Sequence, residues 1–286
     1  MLDKKIAFIG SGAMAEAMIS GLLKQNLAEP HHLLASDPRL ERVEELQQKY
    51  QVQPFTDNNQ AAKHADVVVL SVKPQRLTEV LSGLKSAVPP QALVLSIVTG
   101  ATIAKISNGL DHKAVVRSMP NTPAQISQGI TVWIPSPAVS QVQQEIASTI
   151  LGALGEQVMV DDESYLDMAT ALSGTGPAYV FLFMEAMIDA GVHLGFSRRV
   201  SEQLVLKTIK GSVSYYEAIN QKSEAHVAAL RNQVTSPGGT TAEAMYFLEK
   251  AGFRTAISRA IWAAYQRSLE LGKEKPVHIP EKNGNE

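Results

Sequence analysis

The feature that most constrains this chain is a glycine-rich turn set between a strand and a helix. Ile6-Ala7-Phe8-Ile9 reads as a buried strand, Met14 to Leu23 as a helix, and Gly10-Ser11-Gly12-Ala13-Met14-Ala15 spans the turn between them. The spacing is G-x-G-x-x-A. The first glycine permits the tight turn, the second lets backbone approach a pyrophosphate, and the small Ala15 lets the helix pack on the sheet. The helix N-terminus then offers free N–H groups to phosphate oxygens. Glycines are common in turns that bind nothing, so the spacing alone is a weak signal. Here the next strand, Leu33-Leu34-Ala35-Ser36, ends in Asp37, an acid placed to accept hydrogen bonds from a ribose. Strand, turn, helix and acid together favour dinucleotide binding over a purely structural turn. Asp37 suits NAD and repels a 2′-phosphate, whereas Ser36 and Arg39 could hold that phosphate. The residues leave NAD(H) and NADP(H) both open.

The same alternation continues along the first half of the chain. A charged helical segment runs from Leu40 to Tyr50, and Val67 to Val72 is a strand of mostly valine. Gln75 to Lys85 reads as helix, Leu93 to Val98 as strand, Val139 to Leu151 as helix. Val115-Val116, Ile130 to Ile134 and Gln157 to Val160 are further strands. Continuous apolar strands alternating with helices predict an α/β fold, a Rossmann-type doubly wound parallel sheet covered on both faces. The pattern changes at Asp161-Asp162. From Glu163 to about Lys273 no strand is expected, and glycine or serine breaks divide an all-helical region of about five helices. Pro177 suits the first turn of one of them. At 286 residues the chain has room for about two domains. They are expected over 1–161, for the dinucleotide, and 162–275, for substrate and dimerisation, with a frayed tail over 276–286.

Composition removes several classes of function. Lys and Arg number 26 against 28 Asp and Glu, so no basic excess draws in nucleic acid or an anionic membrane. Cysteine is absent, which excludes disulfides, zinc-thiolate sites and thiol nucleophiles. The seven histidines show no metal spacing, and no metal is expected. The N-terminus MLDKKIAFIGSG lacks the apolar core of a signal peptide. The apolar, uncharged stretch Met168 to Met184 reads as too short to span a bilayer and too broken at Ser173-Gly174-Thr175-Gly176-Pro177. A cytoplasmic protein is the expectation.

Candidate loops leave the carboxyl ends of the strands, where ligands of such sheets bind. Lys73 follows the valine-rich strand and suits phosphate or ribose, or is a solvated strand end. Val98-Thr99-Gly100 ends the next strand. In Arg117-Ser118-Met119-Pro120-Asn121-Thr122-Pro123, Asn121 is a candidate for a carboxamide contact. In the helical half, Ser236-Pro237-Gly238-Gly239-Thr240-Thr241 is either a capped turn or an anion nest of converging N–H groups, with equal weight. The apolar run Tyr179 to Met187 reads as core. Asp161-Asp162-Glu163 reads as a solvated junction, with Glu163 able to border a site.

Five segments together, IAFIGSGAMAEAMI, SVKP, RSMPNTP, ALSGTGPAYVF and QVTSPGGTTAEAMYFLEKAGFR, closely resemble the pyrroline-5-carboxylate reductase family. The similarity extends from about Lys5 to Gly272. It implies reduction of the cyclic imine 1-pyrroline-5-carboxylate to L-proline by NAD(P)H, the last step of proline biosynthesis. It implies a cofactor loop on Ile9, Gly10, Ser11, Gly12, Ala13 and Met14. The ribose or 2′-phosphate reader falls on Ser36 and Asp37, the adenine side on Asn58, and the nicotinamide side on Val72, Lys73 and Thr99. The substrate loop falls on Ser236, Gly239, Thr240 and Thr241, with Glu163 bordering it. Thr241, as the catalytic residue, would aim its hydroxyl at the ring nitrogen; the competing role is a helix cap. The resemblance further implies a homodimer or larger homo-oligomer, up to a decamer. Asp37 stands where some relatives carry Ser for the 2′-phosphate, and Gln233 where some place an Asn. A β-hydroxyacid dehydrogenase, the nearest alternative, needs a catalytic Lys on the first long helix, and residues 163–197 contain no Lys or Arg. A non-enzymatic nicotinamide sensor would not require the SPGGTT loop.

Overall fold

The computed structural model of the chain describes residues 1–222 and 224–273. The tail expected to fray over 276–286 lies outside the described residues. Two compact units emerge, one comprising residues 1–175 with residues 263–273, the other Gly176–Trp262.

The first unit alternates β1 (Ile6–Ile9), α1 (Ala13–Lys24), β2 (Leu33–Ser36), α2 (Leu40–Tyr50), β3 (Gln53–Phe55), α3 (Asn58–Ala62) and β4 (Val67–Leu70). It continues through α4 (Leu77–Leu84), β5 (Leu93–Ser96), α5 (Ile103–Leu110), β6 (Val115–Met119), β7 (Gly129–Pro135), α6 (Gln141–Gly152) and β8 (Gly155–Met159). The eight strands pair in the order β3-β2-β1-β4-β5-β6-β7-β8. The 3-2-1-4-5-6 core of that order is the Rossmann arrangement, whose crevice opens between β1 and β4. Side chains of β1 alternate across the sheet. Ile6 and Phe8 join the cluster of Met18, Ile19, Leu22, Ile150 and Leu151, while Ala7 and Ile9 join that of Leu34, Leu70, Leu81 and Ile106. Burial on both faces is why these strands read as unbroken apolar runs.

The sheet is not wholly parallel, as the sequence pattern suggested. β7 pairs antiparallel to β6, Met119 facing Val132. Only residues 120–128 separate the two strands, and a parallel crossover needs about a dozen residues or more. β4 and β5 also end earlier than their apolar runs. Ser71, just past β4, keeps its N–H on the Ile9 carbonyl at 3.0 Å and donates its hydroxyl to the Gly10 carbonyl at 2.7 Å. β3 carries Pro54 and occupies the sheet edge, the place where a missing N–H is tolerated. α6 begins where Ser140 and Gln143 form a reciprocal capping box.

Beyond β8 no strand occurs among the described residues. α7 (Ser164–Ala169), a π-helical turn (Thr170–Gly174), α8 (Gly176–His193), α9 (Arg198–Asn220), α10 (Val227–Gln233), α11 (Thr240–Lys250) and α12 (Phe253–Gly272) follow. The Ser173–Pro177 interruption does not break the first of these, contrary to its sequence reading. The wider turn, closed by Thr175 N–H on the Thr170 carbonyl, leads into Pro177, the second residue of α8. Residues 164–193 are therefore one helical run of 30 residues. A window of it has mean hydropathy 1.2, long and apolar enough by length and composition to cross a membrane. The run Tyr179 to Met187 is not core either: Phe181 is 60% and Leu182 67% exposed.

Candidate active site

In the first unit the chain turns at Gly10 with φ +91°, and a Cβ there would stand 2.8 Å from Val72 Cγ1 and 2.9 Å from the Ser71 carbonyl oxygen. Only glycine fits. Gly12 differs, because its φ is −75° and a Cβ there would meet no protein atom within 4 Å. Among the described residues nothing crowds a side chain at this position. No side-chain hydrogen bond caps α1, which begins at Ala13.

Ser11 is pinned from three sides. Its N–H donates to Asp37 Oδ2 at 3.3 Å, its hydroxyl to the Ser36 carbonyl at 3.2 Å, and its own carbonyl accepts from Arg42 Nε at 2.7 Å. The Gly10 N–H reaches the same Ser36 carbonyl at 2.8 Å. The turn is thereby tied to the end of β2, where Ser36 donates its hydroxyl to Asn58 Oδ1 at 2.8 Å. Asp37 is buried and chelated by Arg39, whose Nε lies 2.8 Å from Oδ1, while the guanidinium itself is exposed. Burial works to raise the Asp37 carboxyl, but the Arg39 guanidinium, the Arg39 N–H and the Ser11 N–H overcome it and hold the group below the usual carboxylate range. Val72 and Thr99 are half-buried and Lys73 is exposed. The Thr99 hydroxyl contacts Met119 Sδ at 3.9 Å.

Asn121 does not present its amide to a ligand. Nδ2 donates to the Ser173 carbonyl and Oδ1 accepts from the Ile130 N–H at 3.0 Å. Glu163, half-buried, accepts at Oε1 from the Ile103 N–H at 2.8 Å and from Arg117 at 2.9 Å. Arg117 also reaches Asp167 at 3.1 Å, and Ser268 donates to the same carboxylate oxygen at 2.7 Å. Sequence reasoning missed this buried cluster of Arg117, Asp167 and Ser268. Its signal was a charge inside an apolar run, twice: Val115-Val116-Arg117 and Leu166-Asp167-Met168.

In the second unit, residues 234–239 join α10 to α11, which opens with Thr240 and Thr241. Gly238 has φ +69°, which favours glycine, and the Gly239 N–H closes the turn on the Ser236 carbonyl at 3.1 Å. Gly239 is extended, and a Cβ there would stand 2.5 Å from the Ser236 hydroxyl oxygen and 3.2 Å from the Ser236 carbonyl oxygen. Gly239 is the N-cap of α11 and no side-chain hydrogen bond caps the helix, so Thr240 and Thr241 begin it without serving as caps. Among the described residues no group of three or more His, Asp or Glu could hold a metal ion.

Comparison with known proteins supplies the lineage. The family model described as pyrroline-5-carboxylate reductase dimerisation matches residues 163–271, and one described as NADP oxidoreductase coenzyme F420-dependent matches residues 5–100. The pyrroline-5-carboxylate reductase of Synechocystis is 39% identical over 270 residues, covering 94% of this chain and 99% of that one. The chain belongs to the pyrroline-5-carboxylate reductase family. The Pseudomonas aeruginosa family member is 40% identical over 275 residues, with 96% and 99% covered. The crystal structure of the Plasmodium falciparum pyrroline carboxylate reductase, which has NADP bound, superposes with a TM-score of 0.86 at 33% identity, covering 96% of this chain and all of that one. The family's dimerisation region begins at residue 163, directly after the acidic pair Asp161-Asp162 where the sequence turns helical.

Proposed function

We propose that this chain reduces 1-pyrroline-5-carboxylate to L-proline with NADH or NADPH, as the last step of proline biosynthesis. The observation that carries the reading is Gly12 at the N-terminus of α1, where, among the described residues beyond its chain neighbours, nothing stands within 4 Å of a Cβ position. A pyrophosphate approaching the α1 N-terminus needs that space. Ile9, Gly10, Gly12, Ala13 and Met14 would hold it through backbone, with Ser11 keeping the loop in shape. Ser36, Asp37 and Asn58 would meet the adenosine, and Val72, Lys73 and Thr99 the nicotinamide side. Bound there, the reduced nicotinamide supplies a hydride. Asp37 is already neutralised by Arg39, so its bias against a 2′-phosphate is blunted, and both cofactors are accepted.

The substrate brings a carboxylate and a ring nitrogen. The 236–240 turn offers backbone N–H donors to the carboxylate, with Ser236, Gly239 and Thr240 as its contacts. The Thr241 hydroxyl can both donate and accept, so it can hold the ring nitrogen as imine and as amine. Glu163 borders the site. A protonated imine is already electrophilic, so the protein's task is alignment and exclusion of water rather than strong acid catalysis.

We further infer a division into a nucleotide domain over 1–161 and a helical domain over 162–275. The apolar helical run 164–193 would then face a second copy of the chain in a cytoplasmic homodimer or a larger ring. The dimerisation model that covers this run supports that reading. The deciding assay follows NADH or NADPH oxidation with pyrroline-5-carboxylate, against a 3-hydroxy acid in the reverse direction. Oxidation of the hydroxy acid alone would overturn the assignment.

A further inference from the structure

The segment between β5 and α5 carries Thr99, and it is restrained from several sides. The Thr99 hydroxyl meets Met119 Sδ. A Cβ at Gly100 would stand 2.9 Å from the Gly272 nitrogen, so this backbone lies directly against the end of α12. Thr102 caps α5 through the Lys105 N–H at 3.1 Å. The remaining restraint is a charge from outside the segment. Glu163, at the start of α7, accepts the Ile103 N–H at 2.8 Å and is fixed by Arg117, which is 97% buried in β6 and also paired with Asp167. A carboxylate at a helix N-terminus is favoured by the helix dipole. A buried guanidinium between two carboxylates is costly to build unless its geometry is held.

We propose that Glu163, locked by Arg117, is a positioning residue: it holds the 99–103 segment in the shape that presents Thr99 to the nicotinamide. This rests on the assignment of Thr99 to the nicotinamide side made above. Glu163 then acts through the segment, and its loss misaligns hydride transfer while leaving the adenosine half of the cofactor site intact.

The test compares Glu163→Ala and Glu163→Gln with the unaltered full-length protein. Hydrogen exchange of the amides at 99–103 should rise about tenfold in the alanine variant as the segment opens locally. Its kcat should fall roughly tenfold, as expected for misplaced reactants. Affinity for 2′,5′-ADP, which probes only the adenosine half, should stay within about twofold. Glu163→Gln keeps an acceptor for Ile103 and should recover most of the exchange protection and of kcat. Ser268→Ala, which touches the cluster only through Asp167, should leave exchange at 99–103 and kcat unchanged. Unaltered exchange and kcat in Glu163→Ala would overturn the proposal. So would a raised KM for pyrroline-5-carboxylate with normal kcat and exchange, which would mean direct substrate contact. If the unaltered protein fails to reduce pyrroline-5-carboxylate, the functional reading fails first and this one with it. An active protein with an indifferent alanine variant sinks this inference alone.

Discussion

Thr241 stands two residues inside the cap of α11, and that cap is Gly239. Removing a capping hydroxyl costs about 1 kcal/mol of stability, but this hydroxyl caps nothing. Thr241→Ala should therefore leave the melting temperature nearly unchanged and lower kcat/KM by roughly 10- to 100-fold, equivalent to about 1.4–2.7 kcal/mol of transition-state binding. Early melting with normal turnover would refute the catalytic role. Asp37 presents a different case. Its carboxylate holds both Arg39 and the Ser11 N–H, so Asp37→Ser removes an anion and frees a guanidinium at once. The kcat/KM ratio of NADPH to NADH should rise by a factor of about five or more, near 1 kcal/mol. An unchanged ratio would leave the preference with Ser36 or Arg39.

Between elements, one carboxylate joins α1 to α2. Glu16 accepts from Lys49 at 2.7 Å, from Tyr50 at 3.0 Å and from Arg42, all on α2. Burial would raise its pKa, but hydrogen bonds from Lys49, Arg42 and Tyr50 outweigh this and bring it down to about 2. A folded-state pKa below the unfolded one stabilises at high pH. The contribution, on the order of 2–3 kcal/mol, is full above about pH 4.5 and vanishes as pH falls toward 2. Glu16→Gln should thus lower the melting temperature at pH 7 and bring it close to that of the unaltered protein near pH 2. Parallel loss at both pH values would show that packing, not charge, joins the helices. At this scale the sequence was most legible. β1, β2 and α2 form over the residues their patterns mark, because strands buried on both faces and amphipathic helices have distinct periodicities. α5 and β3 were not marked; β3 is only three residues long and contains a proline.

For the molecule as a whole, the second unit is short of a core. Among described residues 176–262 only Ser201 and Val205 are buried, while Phe181, Leu182, Phe196, Leu204, Leu206, Tyr246 and Phe247 are exposed. Apolar surface on this scale marks an interface, and a unit whose core lies between copies has no stability separate from association. Sedimentation equilibrium should return a dimer or larger species at micromolar concentration. A stable monomer would contradict both the exposed helices and the family's dimerisation region.

What the sequence determined by itself is the order of elements, the glycine turn and the family, because each depends on residues close together along the chain. Pattern, spacing and turn chemistry are local, and they survive without knowledge of the fold. The tertiary structure alone decided the rest. It reversed β7, since strand direction depends on how little chain remains to cross the sheet. It also made Asp37 half of an ion pair with Arg39, carried the helix through Ser173–Pro177, and brought Arg117 to Glu163, Asp167 and Ser268. Those contacts join residues up to 101 positions apart in sequence (Asp167 and Ser268), and no periodicity links positions so distant. A buried charge reveals itself in a sequence only as an oddity in an apolar run; its partners appear when the chain is folded.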